Sequence, residues 1–121
     1  MENLTTIQKL YRICEALEKR FPGNRDPFRI LARLMEESGE LADQVHLWEN
    51  VGRKRASGRQ PDPDSLAKEI KQVILAALDM ARYYGVEAQL ERNITENYQR
   101  AVAEGLIEAD TDSAQGKGTD A

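Results

Sequence analysis

Asp26-Pro27-Phe28-Arg29-Ile30-Leu31-Ala32-Arg33-Leu34-Met35-Glu36-Glu37-Ser38-Gly39-Glu40-Leu41-Ala42-Asp43-Gln44-Val45-His46-Leu47-Trp48 reads as one long helix. Asp26 suits the N-cap, because its carboxylate can accept hydrogen bonds from the free N–H groups of the first turn. Pro27 suits the first helical position, where a missing N–H costs nothing. Phe28, Leu31, Leu34, Met35, Leu41, Ala42, Val45 and Trp48 then trace an apolar stripe at helical spacing, and the helix is expected to end near Gly52.

The same signals recur on either side. Leu4, Ile7, Leu10, Cys14, Leu17 and Phe21 share a helical face before Pro22-Gly23-Asn24 stops the first segment. After a non-periodic loop from about Gly52 to Pro63, Asp62-Pro63 repeats the cap-plus-proline start. Leu66, Ile70, Val73, Ile74, Ala77 and Ala81 follow, with Gly85 as the stop. A more polar helix runs from about Val86 to Ala103, with Leu90, Ile94, Tyr98 and Val102 on its apolar side and Gly105 at its end. No strand pattern competes. Long helices joined by short connections predict an all-α, antiparallel four-helix bundle over residues 1–107. Residues 108–121 are polar, without an apolar anchor past Ala109, and read as a solvated C-terminal tail.

Composition narrows the function. The net charge of −4 argues against non-specific nucleic-acid binding, which needs a basic footprint. No stretch is apolar for long enough to span a membrane. Met1-Glu2-Asn3 opens no secretory signal, so a cytoplasmic location is expected. The single cysteine, Cys14, excludes an internal disulfide and reads as a small buried side chain. His46, the one histidine, has no partner motif and is given no catalytic role.

The chemistry is carried by carboxylates. Glu37 and Glu40 are three residues apart on the second helix, and Glu36 and Glu40 four apart, so each pair shares a face. Asp43 extends that face. Glu69 and Gln72 repeat the spacing on the third helix. Such pairs on two antiparallel helices bring several oxygens around one point, which is how helical bundles build interior metal sites. Hard oxygen donors without histidine or cysteine favour Mg²⁺ or Mn²⁺. A run of glutamates is more often a solvated helix face. Two features favour the interior edge here: both pairs border apolar stripes, and Gly39 stands mid-helix, where glycine costs about 1 kcal/mol against alanine and suggests close approach of a helix or ligand.

Leu34-Met35-Glu36-Glu37-Ser38-Gly39-Glu40-Leu41-Ala42, followed after a spacer by Lys68-Glu69-Ile70-Lys71-Gln72-Val73, resembles the MazG-like branch of the all-α nucleoside triphosphate pyrophosphohydrolases. The likeness covers about residues 4–107 and extends to Phe21-Pro22, Asp26-Pro27-Phe28 and Arg82-Tyr83-Tyr84-Gly85. It implies Mg²⁺-dependent hydrolysis of a nucleoside triphosphate to the monophosphate and pyrophosphate, in a homo-oligomer, dimer or tetramer. It assigns Glu37, Glu40, Glu69 and Gln72 to the metal. Glu36 and Glu37 are the candidate catalytic bases, able to take a proton from the attacking water.

The chain departs from that family at Gln72, where the pattern has aspartate. A glutamine oxygen still binds a hard cation but lacks the carboxylate's charge. Either turnover survives with weaker metal binding, or Asp43 or Asp79 compensates, or the chain is a degenerate oligomer that binds nucleotides or partner chains without hydrolysis. Asp79 lies about 10 Å along the helix from Gln72. Lys68, Arg92 and Asn93 are further substrate-binding candidates, and the basic loop Arg53 to Arg59 could close over phosphates. Trp48, Tyr83 and Tyr84 are expected to pack in the core or an interface.

Overall fold

The computed structural model describes residues 3–23 and 25–108. Five helices follow one another, α1 Thr6–Arg20, α2 Pro27–Trp48, α3 Gly52–Ala56, α4 Pro63–Tyr84 and α5 Glu87–Ala103, with no strand among the described residues. They divide into two compact units at the junction of Val86 and Glu87. The tail past Glu108 lies outside the described residues.

The helix starts are where the capping chemistry puts them. Thr5 opens α1 with a reciprocal capping box: its hydroxyl accepts from Gln8 N–H, and the Gln8 amide oxygen accepts from Thr5 N–H. The Asp26 carboxylate accepts from the N–H groups of Phe28 and Arg29, both at 2.9 Å. Asp62 does the same for Ser65. Gly85 closes α4 in the left-handed region at φ 67°, a conformation that costs glycine little.

The end of α2 differs from expectation. The helix stops at Trp48, and Asn50 (φ 64°) and Gly52 (φ 88°) reverse the chain. Val51 N–H then donates to the His46 carbonyl at 2.8 Å, which satisfies one of the last open acceptors. The expected loop begins with the five-residue helix α3. Five residues are too short to show a period, which is why the sequence reads as loop there.

In the first unit α4 is the axis: α2 and α1 each pack along it, α2 more extensively. Arg33 meets Asp79 while Glu37 meets Glu69, so α2 runs antiparallel to α4. Cys14 meets Leu75 while Glu18 meets Arg82, so α1 runs parallel to it. The core is small: Leu10 and Cys14 from α1, Ile30 and Leu47 from α2, and Leu75, Ala76, Leu78 and Ala81 from α4.

This core keeps part of the two expected stripes, since Ala81 is buried and Leu34, Leu41, Leu66 and Val73 are half-buried, and corrects the rest. On α2 the buried line is Ile30, Gln44 and Leu47, whereas Phe28, Leu31, Met35, Val45 and Trp48 remain exposed. On α4 it is Leu75, Ala76, Leu78, Asp79 and Ala81, whereas Ile70 and Ile74 are exposed. Both helices carry apolar residues on two faces, so periodicity finds a stripe without saying which one α4 covers. Tyr83 and Tyr84 are both exposed, not in the core, and their rings pack edge-on against each other. Gly39 is exposed, and a Cβ built there meets nothing within 4 Å. No close approach within the described chain accounts for that glycine.

The corrected phase makes a ranking testable. Leu47, 2% exposed, should cost about 2–5 kcal/mol when cut to alanine. Met35, 65% exposed and on the face the sequence favoured, should cost about 1 kcal/mol or less. Urea unfolding of the two variants measures both, and the opposite order would restore the sequence-derived phase.

Candidate functional site

The helices α1 and α2 pack on α4 rather than on each other, and a cavity of about 260 Å³ opens between them. Leu17, Phe21 and Leu75 give it apolar surface. Arg25 and Arg33 give it guanidinium groups, and Glu37, Gln72 and Asp79 line the α2 and α4 sides. The sequence-derived acidic motif and a set of arginines that the sequence did not single out therefore share one cavity.

The arginines surround Asp79. Arg33 Nη2 lies 2.8 Å from one carboxylate oxygen and Arg82 Nη1 lies 2.9 Å from the other. Arg82 Nη2 reaches Glu18 on α1 at 2.8 Å, and Arg25 Nη1 contacts the same carboxylate at 3.4 Å. These bonds, led by the one from Arg82, hold the Glu18 carboxyl below its usual pKa. Arg25 sits over the Tyr83 ring, 5.5 Å from its centroid, while its Nε and Nη2 are buried without a hydrogen-bond acceptor. Asp79 is thus spent on ion pairs. It does not stand in for an aspartate at position 72.

Cys14 forms the inner wall. Its thiol donates to the Leu75 carbonyl at 3.5 Å, and burial pushes its pKa up to about 11. That is a packing cysteine, as its place in the stripe suggests, and not a nucleophile.

The acidic motif is brought together in part. Glu37 on α2 faces Glu69 on α4. Burial raises the Glu37 pKa first, and the neighbouring Glu69 raises it further, with smaller contributions from Glu36 and Glu40. One Glu69 oxygen, Oε1, is buried with no hydrogen-bond partner. Gln72 is half-buried and lines the cavity beside Glu37. Glu36 and Glu40 are exposed. Glu40 is turned to α3, where Lys54 Nζ approaches Oε1 at 3.4 Å and Asp43 at 3.7 Å.

A hard divalent cation would find two neighbouring carboxylates here, Glu37 and Glu69. Burial and the facing Glu69 raise the proton affinity of Glu37, and a positive charge or a proton beside the pair would relieve that repulsion. The set is incomplete: among the described residues no three carboxylate, histidine or thiol groups converge. Glu40 is exposed and paired with Lys54.

The remaining candidates are surface residues of their own helices. Lys68 is exposed on α4. Arg92 and Asn93 are exposed on α5, in the second unit, and the Asn93 amide donates back to the Gln89 carbonyl of its own helix. Arg82 stands in the resemblance segment Arg82-Tyr83-Tyr84-Gly85, and Arg25 and Arg33 have no role in the sequence reading. A signal was present: Arg33 stands four residues before Glu37, on the same helical face. Compared with family models, with curated proteins and with solved structures, the chain matches none of them.

Two results would test this geometry. Asp79→Asn should lower stability by about 2–3 kcal/mol, because it leaves Arg33 without its carboxylate and Arg82 with Glu18 alone. Partial exposure of Arg33 (40%) keeps the loss below that of a fully buried pair. Glu37→Gln should act with the opposite sign. A raised folded pKa means the folded chain holds the proton longer than the unfolded one, so stability falls as pH climbs from about 4.5 through the raised value. The variant should therefore melt higher than wild type at pH 7 and alike at pH 4; an equal or lower melting point at pH 7 would refute the facing carboxylates.

Proposed function

We propose that the chain is a Mg²⁺-dependent nucleoside triphosphate pyrophosphohydrolase of the MazG-like, four-helix type, cleaving a nucleoside triphosphate to the monophosphate and pyrophosphate. The observation that carries this reading is the Glu37–Glu69 pair, with its orphan buried oxygen, at the edge of a cavity that also presents Arg25 and Arg33. Mn²⁺ is an alternative cation for the same oxygens.

Glu37 and Glu69 would hold the cation, with Gln72 and Glu40 as further oxygen donors. A bound Mg²⁺ would neutralise phosphate charge and lower the pKa of water. The chain's own residues do the rest. Leu17, Phe21 and Leu75 offer the apolar contact that a nucleoside requires, and the Arg25 and Arg33 guanidinium groups donate to anionic or carbonyl oxygens. Glu36, which is exposed, would accept a proton from the attacking water. Glu37 serves that role less well when it is used as a ligand. Lys68, Arg92 and Asn93 stay secondary candidates for substrate contact.

Assembly belongs to the same reading. Phe28, Leu31, Met35 and Val45 on α2 and Ile70 and Ile74 on α4 are exposed apolar side chains on faces that the first unit leaves uncovered. A second copy of the chain would bury them, as a dimer or tetramer.

One observation favours a second reading, a degenerate oligomer that binds nucleotides without hydrolysis. Gln72 removes a carboxylate from the motif, and Asp79 is committed to arginines and does not replace it.

Pyrophosphate release over a panel of ribo- and deoxynucleoside triphosphates separates the two. Wild type should turn over at least one of them with Mg²⁺. Gln72→Asp should raise that rate by about tenfold or more, since an added charged ligand strengthens metal binding, and Glu37→Gln should abolish it. Silence in both wild type and Gln72→Asp would overturn hydrolysis and leave the binding reading.

A further inference from the structure

The cavity between α1, α2 and α4 holds about 260 Å³. Pockets that enclose a whole drug-sized ligand run from about 300 to 1,000 Å³. A nucleoside triphosphate therefore enters this one by one end only, and charge decides which end. The lining carries three carboxylates, from Glu18, Glu37 and Asp79, against the two guanidinium groups of Arg25 and Arg33. A polyphosphate placed among them would meet at least as much negative charge as positive. Both Glu18 oxygens and both Asp79 oxygens already accept hydrogen bonds from arginines, so these ions are satisfied largely among themselves.

What that network leaves open is neutral. Gln72 is half-buried in the lining, and its side-chain amide has no hydrogen-bond partner among the described residues. Phe21, 52% exposed, lines the same cavity and has no ring partner among the described residues. Leu17 and Leu75 add apolar surface. A flat, uncharged heterocycle uses both kinds of group: it stacks on an aromatic face, and its edge can donate to and accept from an amide, as adenine does with glutamine. Resting on the nucleotide reading above, we infer that this cavity takes the nucleobase of the substrate and not its phosphates, with Phe21 stacking on the ring and the Gln72 amide bonding to its edge. Gln72 is then a specificity-determining residue, in a role that needs no cation.

Calorimetry on the full chain with divalent cations chelated tests this. The probes are adenosine, guanosine, cytidine, uridine and thymidine, with inorganic tripolyphosphate as the phosphate-only control. At least one nucleoside should bind, and tripolyphosphate should not displace it. Phe21→Ala should weaken that nucleoside about fivefold or more, and Gln72→Met about threefold to tenfold. Gln99→Met removes an exposed amide from α5 and should bind like wild type. Failure of every nucleoside to bind, displacement by tripolyphosphate, or unchanged affinity in either cavity variant would overturn the inference. Pyrophosphate release by wild type, measured in parallel with Mg²⁺, keeps the two readings apart. Turnover without nucleoside binding would overturn the placement of the base while hydrolysis stands. Nucleoside binding that both cavity variants weaken, without turnover, would support the placement and overturn hydrolysis.

Discussion

Asp79 is the constraint on which the first unit turns. Its carboxylate is 9% exposed and is met by Arg33 from α2 and Arg82 from its own helix, with Arg25 of the α1–α2 connection nearby. A buried charge is tolerated only when paired and hydrogen-bonded. The pairing therefore dictates where three elements sit. Arg82 passes the link on to Glu18 of α1. The helices α1 and α2, which do not pack on each other, are joined through α4 by this network.

The cavity follows from that arrangement. Two helices packed on a third leave a wedge between them, and here ionic side chains bridge its inner end rather than apolar ones filling it. An apolar filling would give a more stable domain, since buried ion pairs seldom repay their desolvation. What the arginines provide instead is donor capacity beside an acidic pair. Arg25 keeps two buried nitrogens without acceptors, and Glu69 keeps a buried oxygen without a donor.

The second unpaid demand is apolar. Exposed Phe28, Leu31, Met35 and Val45 share a face of α2 opposite the buried Ile30–Leu47 line. A two-faced helix is what a chain needs when its own core is small and another copy supplies the rest. Gly39 lies mid-helix in open space within the described chain, so its cost in helix propensity is explained by nothing in the first unit.

Much of the secondary structure was legible without coordinates, because it rests on local chemistry. Asp26-Pro27, Asp62-Pro63 and Gly85 act within one helical turn, so the starts of α2 and α4 and the stop of α4 follow from the residues themselves. The spacing also puts Glu37 and Glu40 on one face of α2 and Glu69 and Gln72 on one face of α4, and of these Glu37 and Glu69 are the two that meet. Tertiary structure alone decided the rest. Which of two apolar faces of α2 meets α4 depends on the partner surface, so Ile30 and Leu47 took the place of Phe28 and Met35. The helix α3 is too short to carry a period. Asp79, spaced as a spare ligand, became an ion-pair hub because arginines from two other segments reach it, and Glu40 left the acidic motif because the chain reversal after α2 brings Lys54 back to it. A sequence states which charges exist and how they are spaced along one helix; which charge meets which is set by side chains that converge from distant segments.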